Sequence, residues 1–94
     1  MNNVGDIFVY EGKKVIVLTN IEDNMNKYSF VNVLTDDEQN NTEDFYLLLI
    51  KNDNTYDKIV DENEVNRLFP KIQEGLLYSM SEAGIDPNSL NQEQ

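Results

Sequence analysis

The sequence contains no cysteine, no histidine and no tryptophan. Without histidine and cysteine it lacks the usual general base near neutral pH, the thiol nucleophile, and the soft or imidazole ligands of zinc, copper and haem. Carboxylate catalysis would need one carboxyl in an apolar pocket, whereas pairs such as Asp36 and Asp37 lie in polar sequence. We therefore expect a protein that is not an enzyme and that holds no cofactor and no metal. The absence of cysteine also fits a reducing compartment, so we expect a cytoplasmic protein.

Long hydrophobic runs and basic residues are also scarce. The longest apolar run is Phe45 to Ile50, and the first residues show no signal-peptide pattern, so neither a membrane span nor an export signal is expected. Seven basic residues stand against 18 acidic ones, a net charge of -11. This charge repels phosphate backbones and anionic lipids, which argues against direct binding to nucleic acid or membranes. It favours encounter with a basic protein surface.

A chain of 94 residues that is 39% apolar allows one domain with a modest core. Short apolar segments separated by turn-forming residues predict five strands, at about 7–10, 15–18, 27–34, 44–51 and 56–60. The polar stretch 35–42 between the third and fourth strands predicts a solvated loop.

After Val60 the period changes to that of an amphipathic helix over about 62–82, with apolar residues at Val65, Leu68, Phe69, Ile72, Leu76 and Met80. Asp61 is placed to cap this helix, with Glu64 in the reciprocal capping-box position. Pro70 predicts either a kink or a second helix that starts there. Gly84 is expected to end the helix, giving a single domain over 1–85 and a frayed polar tail over 86–94.

These elements predict an α+β fold: a strongly curved antiparallel sheet of about five strands, in the form of a small roll or partial barrel, with one C-terminal helix. One helix covers only one face of a sheet, yet several strands are apolar on both faces. The second face must therefore be closed by curvature or by a second subunit. Curvature is the favoured solution, and a homodimer is the alternative.

The negative charge is concentrated in the middle of the chain. Residues 35–64 hold ten acidic and two basic residues, a net charge of -8, whereas residues 1–34 are almost neutral. One interpretation is that loops and helix starts collect acids for solubility and for the helix dipole. The other is an acidic surface that binds a basic partner, for which the candidate residues are Asp36, Asp37, Glu38, Glu43, Asp44, Asp57, Asp61 and Glu62.

Two further patterns, a calcium-loop spacing and a pair of lysines, do not predict a binding site. The stretch Asp53 to Glu64 has oxygen ligands at calcium-loop spacing, but Lys58 occupies the position that needs glycine, so no calcium site is expected. The only adjacent basic pair, Lys13 and Lys14, is expected to protect an edge strand from pairing with other chains.

Residues 5–75 contain, in order, GDIFVYEGKKVIVLTN, the aromatic strand KYSFVNVL, the acidic loop, EDFYLLLIKND and KIVDENEVNRLFPKI. This order of features resembles the small acidic YrzB-like bacterial proteins of unknown function. The resemblance implies a small cytoplasmic protein of bacterial or phage origin and transfers no functional residues. In size and charge the chain is also similar to phage and mobile-element inhibitors, some of which mimic nucleic acid.

The sequence thus leads to two hypotheses. The first is a non-catalytic module whose acidic surface docks on a basic partner. In the most specific version of this hypothesis, the acidic surface mimics nucleic acid. The second is an accessory protein that self-associates through an open sheet face while its charge serves solubility.

Overall fold

The computed structural model describes residues 3–82, with side chains through residue 79. Five antiparallel strands form one sheet in which the spatial order follows the sequence, and one helix follows them. Their bounds are β1 Ile7–Tyr10, β2 Lys13–Asp23, β3 Asn26–Leu34, β4 Asn41–Ile50, β5 Tyr56–Lys58 and α1 Glu62–Glu82. The predicted α+β fold is confirmed. The predicted cap at Gly84, the domain end at residue 85 and the tail 86–94 lie outside the described residues.

Tight turns explain why the strands are neighbours in chain order. Glu11 and Gly12 have φ of 51° and 79°, and Asn24 and Met25 have φ of 49° and 69°. Two consecutive left-handed residues form the type of turn whose twist matches that of a β-hairpin. We call the end of the sheet with the β1–β2 turn and the β3–β4 loop the upper end, and the opposite end the lower end.

The inner face of the sheet, opposite α1, holds a core of Val15, Val17, Val31, Val33 and Leu48. The two edge strands approach each other over this core. The rings of Phe8 in β1 and Tyr56 in β5 stack with their centroids 4.9 Å apart. The Lys58 backbone N–H donates a hydrogen bond of 3.2 Å to the Tyr10 hydroxyl. The sheet is therefore curled into a half-barrel, as the curvature hypothesis predicted.

The outer face of the sheet packs against α1. The register between β2 and β3 shifts between Val17 and Thr19, so that Leu18 is an extra residue. Because side chains alternate along a strand, this bulge turns Thr19 toward the helix, whereas Val17 stays inside. A Cβ atom at Gly75 of α1 would lie 2.5 Å from the Thr19 Oγ1 atom. The glycine thus allows the helix to approach β2 closely. On the same face of the sheet, Leu68 and Ile72 of α1 pack against Tyr28 of β3 and Leu47 of β4.

The helix is continuous through Pro70, which is exposed. The alternative of a second helix starting at Pro70 is therefore wrong. Asp61 caps the helix as predicted, because its carboxylate accepts a hydrogen bond of 2.9 Å from the Asn63 backbone N–H. The carboxylate of Glu64, which the sequence predicts to complete a capping box, instead accepts a hydrogen bond from Arg67 Nε at 3.0 Å.

Candidate functional site

The acidic loop at the upper end, residues 35–40, is held by its own side chains. Asp36, Asp37 and Glu38 are all exposed. The Asp37 carboxylate accepts hydrogen bonds from the Thr35 hydroxyl at 2.6 Å and from the Gln39 backbone N–H at 3.0 Å. These bonds, that from Thr35 first, lower the pKa of Asp37 below its usual value. The loop is therefore folded around a carboxylate that is charged at neutral pH.

Lys14 fastens this loop to the sheet. Its Nζ donates a hydrogen bond of 2.7 Å to the Asp36 backbone carbonyl and lies 3.0 Å from the Glu38 carboxylate. Lys14 belongs to β2, the second strand of the sheet, so the prediction that it protects an edge strand is wrong. Within residues 3–82, the Asp36 side chain has no basic partner. The loop is thus anchored by one cation and keeps an excess of negative charge.

Glu43 and Asp44 both lie in β4, which starts at Asn41, three residues before the predicted strand 44–51, so the strand gains Glu43 and contains Asp44 as predicted. The buried amide of Asn32 donates to the carbonyls of Thr42 and Asp44, each at 2.9 Å. It satisfies these carbonyls where the register between β3 and β4 shifts. Both acidic side chains are exposed beside the upper end.

The remaining predicted acids form a second group. Asp57 lies in β5 opposite Leu49, toward the lower end, and is 3.6 Å from Lys51 Nζ. Asp61 is used as the helix cap, and Glu62 is exposed in the first turn of α1, where the helix dipole favours a negative charge. No hydrogen bond or ion pair within residues 3–82 joins this group to the loop. The structure thus brings five of the eight predicted acids together at the upper end.

Sequence reasoning missed Asp23, whose carboxylate pairs with two basic residues. Its side chain is 12% exposed and lies 2.5 Å from Arg67 Nη1 and 3.1 Å from Lys71 Nζ. The hydrogen bond from Arg67, followed by that from Lys71, lowers the pKa of Asp23. These contacts tie the lower end of the sheet to α1 and occupy two of the seven basic residues. They span more than 40 positions of sequence, so no local pattern reveals them.

Sequence reasoning also missed a row of four residues, three of them apolar, on the outer face above α1. Strand register places Ile7, Ile16, Asn32 and Phe45 side by side across β1 to β4, and we call these four residues the upper row. Ile7 is 43% and Phe45 is 51% exposed. The Phe45 ring stacks on that of Phe30, with centroids 5.5 Å apart. Phe30 packs against the buried residues between the sheet and α1, among them Leu47 and Leu68. The upper row therefore continues the surface that α1 covers.

The described residues hold neither a cluster suited to a metal ion nor a membrane-spanning helix. The stretch that resembles a calcium loop contains β5, and Asp53 in it accepts hydrogen bonds from the hydroxyl and the backbone N–H of Thr55 at 2.6 and 3.1 Å. Among residues 3–82, no three acidic side chains are grouped so that they could hold a metal ion. No helix in this range is both long and apolar enough to cross a bilayer.

Comparison with protein-family models, with curated proteins and with solved structures gives no match for this chain. The YrzB-like resemblance therefore stays a prediction, and function is inferred from the geometry of the chain itself.

Proposed function

We propose that the protein is a non-catalytic binding module whose acidic upper end docks on a basic protein surface. The observation that carries this proposal is the segment 35–44, which holds five acidic residues and no basic one. We call Asp36, Asp37, Glu38, Glu43 and Asp44 the acidic end. All five are exposed, and Lys14 is the one basic residue paired with them in the described part of the chain.

The acidic end is suited to recognition because its geometry is fixed before any partner arrives. The loop is closed by the bonds to Asp37 and anchored by Lys14, and the start of β4 is held by Asn32. Fixed carboxylates on a protein with a net charge of -11 steer a basic partner during diffusion and raise the association rate. Such a surface also costs little ordering entropy on binding.

The finer form of the proposal is that the basic partner surface normally holds nucleic acid, and that the carboxylates replace phosphates. This would make the protein an inhibitor of the kind carried by phages and mobile elements. The support is the density of exposed charge in the acidic end, together with the expected lack of direct nucleic-acid binding.

Self-association is the second candidate function. The observation that favours it is the exposure of Ile7 and Phe45 in the upper row, together with Val9, which is 63% exposed in β1. Two copies could bury these side chains against each other, although each carries the same net charge.

The test of the first proposal compares two variants of equal net charge. The first changes Asp36→Asn, Asp37→Asn and Glu38→Gln, which keeps an acceptor oxygen for Thr35 and Gln39. The matched control changes three acids outside the predicted set, Glu22→Gln, Asp53→Asn and Glu74→Gln. Tagged proteins are used for affinity purification from the native cell at low and high salt.

We expect the wild type and the control to retain the same partner at low salt and to release it at high salt, while the first variant loses it. Added nucleic acid that displaces the partner would support the finer form. Equal recovery with both variants would contradict docking through the acidic end. A dimer in sedimentation velocity, unaffected by either variant, would favour self-association.

A further inference from the structure

We infer that the upper row is the binding site for a basic amphipathic helix of the partner protein. This inference rests on the proposed function and adds the apolar half of the interface to the acidic end. The row and its surroundings contain an apolar floor, an aromatic wall and an acidic border.

The floor continues the part of the outer face that packs against α1. On the lower part of the outer face, Leu68 and Ile72 of α1 pack on Tyr28 and Leu47 of the sheet. One register step above, Phe45 and Ile7 are about half exposed. Nothing within residues 62–79 covers them, so the outer face offers the same kind of side chains to a second helix beside α1.

The wall is the flank of α1 that carries Phe69. Arg67 and Lys71, on the other flank, reach Asp23 at the lower end of the sheet. Residues of an α-helix are separated by about 100°, so Phe69 lies about 200° around the axis from Arg67. The flank with Phe69 therefore faces the upper row. Phe69 is 50% exposed, which leaves its ring available as a side wall for a second helix.

The border of this site is acidic. Glu43 lies two residues before Phe45 in β4. Asp44 and Asp6 directly precede Phe45 and Ile7, so strand alternation turns their side chains toward the opposite face, from which they add negative charge behind the row. Glu62 is seven residues before Phe69 and hence on the same flank of α1. All four are exposed.

Lys14, a basic residue beside the row, does not make the charge of this border positive. Lys14 pairs with Val9 in the register of β1 and β2, and its ammonium group is engaged by Glu38 at 3.0 Å.

The charge decides which occupant fits. An apolar strip bordered by carboxylates complements a helix whose apolar stripe is flanked by lysine and arginine. A second copy of this chain would bring another acidic border against the first and would be repelled by a net charge of -11. The structure therefore favours a basic helix over a homodimer at this site.

The experiment is a titration of the full-length ¹⁵N-labelled protein, followed by NMR. The probe is a lysine- and leucine-containing peptide of roughly five helical turns with its leucines on one face. A peptide of identical composition, scrambled to disperse the leucines, is the control. We expect the amphipathic peptide to shift the amide signals of Ile7, Ile16, Phe45 and Phe69, and to bind about tenfold more tightly than the scrambled peptide.

Two variants test the apolar contact. Phe45→Gln removes the aromatic anchor, whereas Leu77→Gln removes a side chain of similar exposure, 53%, from the outer side of α1. We expect Phe45→Gln to weaken binding of the amphipathic peptide about tenfold, and Leu77→Gln to leave it unchanged. The amide spectrum without peptide shows directly whether each variant is folded.

The outcomes separate this inference from the proposed function. Equal binding of both peptides, with shifts confined to residues 35–44, would overturn the helix site and leave acidic docking intact. Loss of peptide binding in the Asp36, Asp37 and Glu38 variant, with no effect of Phe45→Gln, would do the same. If neither peptide binds and no basic partner is recovered from cells, both proposals fail. A concentration-dependent dimer that Phe45→Gln dissociates would assign the site to a second copy and overturn the inference.

Discussion

The ring of Phe8 in β1 stacks on the ring of Tyr56 in β5, with centroids 4.9 Å apart and planes inclined by 16°. These residues belong to the two edge strands of a five-stranded sheet, so the contact exists only because the sheet is curled. It covers one side of the inner core, and α1 covers the lower half of the outer face. Among the described residues, Ile7 and Phe45 of the upper row stay about half exposed on the outer face, next to the acidic end.

The first prediction concerns closure of the half-barrel. We expect Phe8→Ala and Tyr56→Ala to destabilise the protein with a coupling free energy of about 0.5–1.5 kcal/mol, the usual worth of an aromatic pair beyond its buried area. Urea unfolding of the two single variants and the double variant measures this coupling. As a control, Phe8 and Phe45 lie on opposite faces and should give additive effects. A coupling near zero for Phe8 and Tyr56 would show that the stack does not close the sheet.

The second prediction concerns the approach of α1 to β2. Gly75→Ala should raise the helix propensity by about 1 kcal/mol but place its Cβ against the Thr19 side chain, so we expect a net loss of about 1–3 kcal/mol. Adding Thr19→Ala removes the obstructing atoms and should recover part of the loss. Thermal unfolding of the single and double variants measures both effects. A more stable Gly75→Ala protein would mean that the helix does not approach β2 this closely.

The third prediction concerns the dependence of stability on pH. Arg67 and Lys71 lower the pKa of Asp23 in the folded protein, so the stabilisation from its charge is present above the unfolded pKa, about 3.9, and is lost as the pH falls through the folded value. Asp23→Asn should therefore be less stable than the wild type at pH 6–7, with the difference shrinking below about pH 4. Melting temperatures across this range test it, with Glu22→Gln as a control of equal charge. A difference in melting temperature that stays constant at all pH values would show that the ion pairs of Asp23 with Arg67 and Lys71 do not stabilise the protein.

The fourth prediction concerns the support of Glu43 and Asp44. Asn32→Ala removes the buried amide that donates to the part-buried carbonyls of Thr42 and Asp44, and we expect the loss of these bonds to cost about 1–3 kcal/mol. Urea unfolding should show this loss, and hydrogen exchange should be faster at residues 41–45. An unchanged stability would indicate that the start of β4 does not depend on this side chain.

Much of the fold could be predicted from the sequence, because apolar segments and turn residues specify local structure directly. Two strands were nevertheless longer than expected. Asn20 looks like a turn residue, yet it lies within β2, where its side chain accepts a hydrogen bond from the Ser29 hydroxyl at 2.5 Å. Similarly, β4 begins at Asn41 because Asn32 satisfies the carbonyls at its bulge. Both extensions depend on a partner in β3, which local propensity does not include.

The candidate site was predictable in its charge but not in its apolar part. Exposed acids in a polar loop follow from composition, so Asp36, Asp37 and Glu38 were identified correctly as surface residues. Phe45 begins the longest apolar run of the chain, a pattern that predicts a buried strand. The exposure of Phe45 depends on where α1 crosses the sheet. That position is set by the contact of Gly75 with β2 and by the ion pair of Asp23 with Arg67.

The most direct test of the account is the association rate of the purified partner complex at several ionic strengths. At low salt we predict that the Asp36, Asp37 and Glu38 variant associates about tenfold more slowly than the wild type and shows a weaker salt dependence. The matched Glu22, Asp53 and Glu74 variant should associate within about twofold of the wild type. If both variants slow association equally, only the net charge matters, and docking through the acidic end is contradicted.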